Sequence, residues 1–321
     1  MLKYLIYFIV ITTIGILYDR YKTKMTIETN KSNIDLIQKY LLNDNALTGS
    51  KPIVWVHINY ESNGRQWLNF GSRRTTRLNM PFLHITLQSI INKSNNDFNV
   101  CLIDDDSFSK LIPGWSVDLH NLADPVKSYV RNLAMTKLLY YYGGMQVPSS
   151  YLALRPLKEI YDTHIAQNGI FVGESSPSSE VSTYVTSFPN ASFMGCTKEH
   201  PIMKDIMLYL ERLDSRDLTQ EQQFLGQINR YYYKHVHAGK ITVVSGALLG
   251  TKTQKHRPVL IDDLMSENYI DYSEQLNGIL VPCDALLKRV KYGWFVRSSV
   301  EQIYQSNNIL SKYMLISNNH V

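Results

Sequence analysis

Two strand-length runs, Pro52-Ile53-Val54-Trp55-Val56-His57-Ile58 and Phe98-Asn99-Val100-Cys101-Leu102-Ile103, bracket a stretch from Leu83 to Ile91 whose apolar residues recur at helical spacing. A short apolar run rich in β-branched residues reads as a buried strand, and strand–helix–strand order joins parallel neighbours. The pattern continues. Lys127 to Tyr142 is a long helix-like stretch stopped by Gly143-Gly144, and Pro201 opens an amphipathic segment to Leu213. Gly169 to Gly173 and Ile241 to Val244 supply further short strands. Strands alternating with helices predict an α/β fold with a mainly parallel sheet flanked by helices. No repeat and no Pro- or Gly-rich linker divides the chain after residue 50, so residues 51–321 are expected to form one domain.

Residues before that point have a different character. Leu2 to Tyr18 is apolar apart from Lys3, Thr12 and Thr13, and carries Tyr4, Tyr7 and Tyr18 where a bilayer's interfaces would lie. That length is at the lower limit of about 17 residues for a spanning helix. Asp19-Arg20-Tyr21-Lys22 follows in place of a small-residue cleavage site, so an uncleaved single-pass anchor is expected over residues 1–24. Residues 25–50 are polar and read as a stalk. Lys3 with the amino terminus faces Arg20, Lys22 and Lys24, a lean towards a cytosolic main domain, while sequons at Asn30, Asn92 and Asn190 would permit a lumenal one.

Charge narrows the function classes. The net charge is +5, of which the first 24 residues hold three, so the remaining chain is too nearly neutral for a basic phosphate-binding surface, and nucleic acid is not expected as a partner. Three distant cysteines, Cys101, Cys196 and Cys283, offer neither a disulfide framework nor a Cys/His metal cluster.

In open α/β sheets ligands sit at the carboxyl ends of strands. Two segments fall there: Trp55-Val56-His57-Ile58-Asn59-Tyr60, and Asp104-Asp105-Asp106 directly after Ile103. Adjacent carboxylates repel unless a cation, amides or hydroxyls meet them. The triplet is therefore either a binding element or an acidic turn capping the next helix, Ser107 to Ile112.

Taken in order, the acidic turn, Leu138-Leu139-Tyr140-Tyr141-Tyr142-Gly143-Gly144-Met145, and Asn190-Ala191-Ser192-Phe193-Met194-Gly195-Cys196 with Glu199-His200-Pro201 make the chain similar to a known family. From Ile53 to Leu213 it resembles the DXD-type sugar transferases, related to initiating mannosyltransferases and capsular polysaccharide synthesis proteins, with a looser echo at Val244 to Leu248. The resemblance implies a GT-A-like fold and a nucleotide-sugar donor held by Trp55, His57, Asn59, Asp104, Asp105, Asp106, Arg131, Gly143, Gly144 and Asn190. It also implies sugar transfer to a hydroxyl of a glycan, lipid or protein acceptor. Counted from Gly143-Gly144, however, the two metal-binding aspartates of that family fall on Pro148 and Ser150. Neither offers the charged oxygen that a hard cation bridging a diphosphate requires. No resident metal is expected there; Mn or Mg would bind only if the site were displaced to Asp104–Asp106. Asn132 and Met135 likewise stand where the family places an Asp and an Arg, with Arg131 one residue away.

Lesser features have plain readings. His235-Val236-His237 is expected to lie in a loop or strand pair, and Arg73-Arg74-Thr75-Thr76-Arg77 in a solvated loop that could alternatively meet a diphosphate or a phospholipid headgroup; the tyrosine triplets at 231–233 and 140–142 could stack on sugar rings, with packing the expected role of at least 140–142. Two functions follow: a membrane-anchored glycosyltransferase-like protein, in which Arg73, Arg74, Arg131 or Lys198 offsets the donor's charge, and an inactive GT-A scaffold with a structural or assembly role, as in a virus. The abundance of Tyr, Asn, Ile and Lys suits an AT-rich microbial or viral genome.

Overall fold

The computed structural model describes residues 51–58, 80–175, 188–214, 221–298 and 300–319. The anchor and stalk expected over residues 1–50, together with Asn59 and the Arg73 to Arg77 run, lie outside the described residues. Among those described, no helix is long and apolar enough to cross a membrane.

A six-stranded sheet forms the centre. Its strands are β1 (Ile53–His57), β2 (Asn99–Ile103), β3 (Gly144–Gln146), β5 (Ile170–Ser175), β6 (Phe188–Cys196) and β7 (Thr242–Val244), in the order β2-β1-β3-β6-β5-β7. β1 pairs in parallel with β2 and β3, and β5 in parallel with β7. β6 runs antiparallel to both β3 and β5. The expectation of a mainly parallel α/β sheet holds, with one reversed strand that the sequence did not signal.

Burial explains the apolar strands. On β1, Trp55 enters one core cluster while Val54 and Val56 enter another on the opposite face. Side chains alternate across a strand, so a sheet covered on both faces needs apolar residues at successive positions. On Trp55's face the cover is α3 (Val126–Tyr142), α5 (Pro201–Asp214) and α6 (Glu221–His237). On the other face α1 (Pro81–Ser94), which starts on a proline that needs no intrahelical N–H partner, and α4 (Lys158–Asn168) complete the sandwich.

The Gly-Gly stop of α3 has a second role. Gly143 and Gly144 take φ of +70° and +91°, and a Cβ on Gly144 would collide with the carbonyl oxygen of Ile53. The chain turns there out of α3 and lies directly against β1, an approach only glycine permits.

A second, two-stranded antiparallel sheet pairs β4 (Tyr151–Ala153) with β8 (Gly278–Leu280). Over it lies a third core cluster made largely by the C-terminal helices α7 (Ile261–Leu264), α8 (Cys283–Lys288), α9 (Gly293–Arg297), α10 (Val300–Gln305) and α11 (Ile309–Asn319). The short α2 (Ser107–Leu111) follows the acidic turn. One reading is corrected here. His235 and His237 sit at the end of α6, not in a loop or strand. Two residues apart on a helix, they do not face each other and cannot chelate one ion together.

Candidate functional site at the carboxyl edge of the sheet

His57 ends β1 and Asp104-Asp105-Asp106 follow β2, so parallel pairing of the two strands brings them side by side. Asp105 is the hub. Arg131, reaching from α3, meets it with two bonds, Nε to Oδ1 at 2.8 Å and Nη2 to Oδ2 at 2.6 Å. Lys127, one turn earlier on α3, is 3.9 Å from Oδ2. His57 Nε2 lies 3.0 Å from Oδ1, and its ring stacks on Phe108 with centroids 5.2 Å apart. Burial pushes the Asp105 carboxyl up, but the hydrogen bonds from His57 and Arg131 and the guanidinium charge outweigh it, holding it well below the usual carboxylate range. Because an ionised carboxylate only accepts, His57 Nε2 carries the proton in this contact.

The three aspartates therefore have three different roles. Asp104 Oδ1 accepts from the backbone N–H of Ser107 at 3.0 Å and from its hydroxyl at 2.6 Å, so it caps the start of α2. Asp105 is saturated by cations. Asp106 is exposed and pairs with His120 across 2.8 Å. Of the three expected donor-binding carboxylates, the capping reading fits Asp104 and an ion-pair reading fits Asp105.

Beside them is a cavity of about 250 Å³, bounded by Asp105, Asp106, Ser109, Trp115, Asp118 and His120 among others. The indole N–H of Trp115 is donated to the Val117 carbonyl, and Asp118 accepts from the His120 backbone, so these walls are held by their own hydrogen bonds.

The other expected site residues are dispersed. Trp55 is fully buried, and its indole N–H is donated to the Gly143 carbonyl at 3.0 Å. It is a core residue, not a donor-facing one. Gly143 and Gly144 stand at the amino end of β3, as does Lys198, whose backbone N lies 2.7 Å from where a Gly143 Cβ would be. That edge is opposite the acidic turn, which removes all three from a site at His57. Asn190 is on β6 opposite Gly173, and its Oδ1 accepts from the Ser192 N–H and hydroxyl.

Pro148 and Ser150 do lie at the carboxyl end of β3, the edge where the metal of the resembled family would belong. Ser150 is 7% exposed and its hydroxyl is donated to the Val281 carbonyl at 3.0 Å. Among the described residues no group of three His, Cys, Asp or Glu side chains is arranged to hold a metal ion, at this position or at Asp104–Asp106. The residues present do not fit the diphosphate-bridging cation of that family.

One cluster at the same edge was missed. Glu174, at the end of β5, bonds the Lys252 ammonium at 2.6 Å and the Gly246 N–H at 2.7 Å, one carboxylate oxygen to each. Its side chain is 9% exposed and that of Lys252 8%. The signal was a carboxylate directly after the apolar run Ile170-Phe171-Val172-Gly173, the same arrangement that drew attention to Asp104.

No family model matches the chain, and no curated protein matches it. Among solved structures, it is similar to the galactosyltransferase LgtC in complex with donor and acceptor sugar analogues, at 11% identity over 83% of this chain and 95% of that one, with a TM-score of 0.38. It is also similar to mouse xyloside xylosyltransferase 1 (10% identity, 73% and 98% covered, TM-score 0.41) and to the PaToxG glycosyltransferase (14%, 67% and 81%, TM-score 0.33).

Proposed function

We propose that the chain is a glycosyltransferase-like protein that binds a nucleotide-sugar donor along the carboxyl edge of the sheet without a divalent cation at positions 148 and 150. The order of motifs along the chain supports the first part, together with the gathering of His57, Asp105 and Arg131 at that edge. One observation carries the second: the Ser150 hydroxyl is buried and committed to the Val281 carbonyl, with Pro148 two residues before it. A hydroxyl so committed and a proline cannot hold a divalent ion against water.

A separate observation favours the inactive-scaffold reading: the carboxylates of the acidic turn are already occupied by Arg131, His57, Ser107 and His120. In either reading Leu2 to Tyr18 tethers the protein to a membrane, and an acceptor glycan, lipid or protein hydroxyl would approach the open side of the edge. Calorimetric titration with UDP- and GDP-sugars, with and without Mn²⁺, tests both. The expected result is binding that Mn²⁺ does not tighten. Strong Mn²⁺ dependence would overturn the assignment of an empty cation position. Absence of any donor binding, with the fold intact by circular dichroism, would leave the scaffold.

A further inference from the structure

The C-terminal helical layer shows solvent a face that its own packing does not explain. Over residues 289–297 the buried side chains are Tyr292, Phe295 and Val296, which belong to the core cluster above β4 and β8. The opposite face carries Val290, Lys291, Trp294 and Arg297, spaced i, i+1, i+4 and i+7. Val290 is 96% exposed and Trp294 45% exposed. Exposed apolar residues of this size are unremarkable singly, but here a valine and a tryptophan share one short helical face with two cations.

Among the described residues neither Lys291 nor Arg297 comes within ion-pair distance of a carboxylate; Lys291 sits over the Tyr292 ring at 5.2 Å, and its charge reaches Asp262 without contact. The neighbouring Arg289 is different, because Asp262 on α7 holds it and also accepts from the Tyr292 hydroxyl, which fixes the base of the face to the layer beneath. Trp294 is braced edge-on by Phe295, with centroids 5.7 Å apart and planes at 88°.

A tryptophan whose ring is half out of the protein, beside an apolar side chain and flanked by unpaired Lys and Arg, has the chemistry of the membrane interface. The indole settles at the headgroup level and the cations meet anionic lipid. We propose that Val290, Lys291, Trp294 and Arg297 form a docking face for an anionic bilayer surface. The face makes contact through its own composition, independently of whether the protein transfers sugar.

The test uses the full chain with vesicles of phosphatidylcholine alone or with phosphatidylserine, brominated in the acyl chains, and reads quenching of tryptophan emission. With phosphatidylserine present, a quenched component is expected that Trp294→Phe removes. Lys291→Gln with Arg297→Gln should weaken it by roughly 25-fold, about fivefold for each cation removed. Thermal melts of these surface variants should match the parent. Quenching that survives Trp294→Phe, or that does not depend on phosphatidylserine, overturns the proposal. So does absence of quenching.

Discussion

At the scale of single residues, the acidic turn separates into a cap, a buried ion pair and an exposed one, and each makes its own prediction. Asp104→Ala removes the acceptor for the Ser107 N–H and should cost about 0.5–2 kcal/mol in thermal or urea unfolding, without a change in any donor affinity. Arg131→Met leaves a largely buried carboxylate with only His57 and the more distant Lys127 as partners and should cost up to about 3 kcal/mol. Asp105→Asn added to it should recover part of that loss, so the two changes will be non-additive in a double-mutant cycle. The pH dependence has a definite sign. Asp105 is held below its ordinary value of 3.8, so it stabilises the fold above about pH 4 and loses that contribution as pH falls towards its folded value. Acid unfolding of Asp105→Asn should therefore be shallower than that of the parent. His120 behaves oppositely. The hydrogen bond it donates to Asp106, with that carboxylate's charge, raises its pKa, so the link is present below its ordinary value of 6.5 and is lost as pH rises through the folded value. Both partners are exposed, and little stability rides on it.

At the scale of elements, two junctions decide what the carboxyl and amino edges can hold. The α3–β3 junction depends on Gly144, where φ is +91° and any Cβ meets the Ile53 backbone. Gly144→Ala should destabilise by about 3 kcal/mol or more, since strained φ and overpacking against the backbone add, and β1 cannot move without its two neighbours. The β3–β4 junction contains Pro148 and Ser150. Restoring a metal-binding pair there by Pro148→Asp with Ser150→Asp places a carboxylate where the chain is 7% exposed and leaves the Val281 carbonyl without its donor. The double variant is expected to melt well below the parent in metal-free buffer, by about 3 kcal/mol of stability or more. Recovery of the melting temperature by Mn²⁺ would show that the junction can still form a cation site. The Glu174–Lys252 pair ties the end of β5 to the loop after β7, and Lys252→Met should be strongly destabilising for the same reason as Arg131→Met.

At the scale of the whole molecule, two covered sheet faces and a helical layer over the small sheet leave the carboxyl edge as the place where polar side chains gather. The N-terminal segment makes a separate prediction. Deleting residues 1–24 should shift the chain from the floating to the soluble fraction in membrane flotation, and equal flotation of both forms would remove the anchor reading.

What the sequence determined by itself was local. Apolar runs at Ile53 to Ile58 and Val100 to Ile103, helical spacing across Lys127 to Tyr142 and the Gly-Gly stop each follow from the period and backbone freedom of neighbouring residues, and all appear in the fold within a few positions. The carboxylates at the end of β2 were also visible, because the end of a strand is a property of the chain. Their partners were not. Arg131 reaches Asp105 from 26 positions away, and Lys252 reaches Glu174 from 78. The reversal of β6, the burial of Trp55 and the placing of Gly143 and Gly144 on the opposite edge from His57 likewise depend on strand order, which nothing local encodes. A carboxylate reads as a ligand-binding group in sequence until tertiary structure supplies the cation that occupies it. Charge neutralisation is satisfied in space, between residues brought together only by the closed sheet.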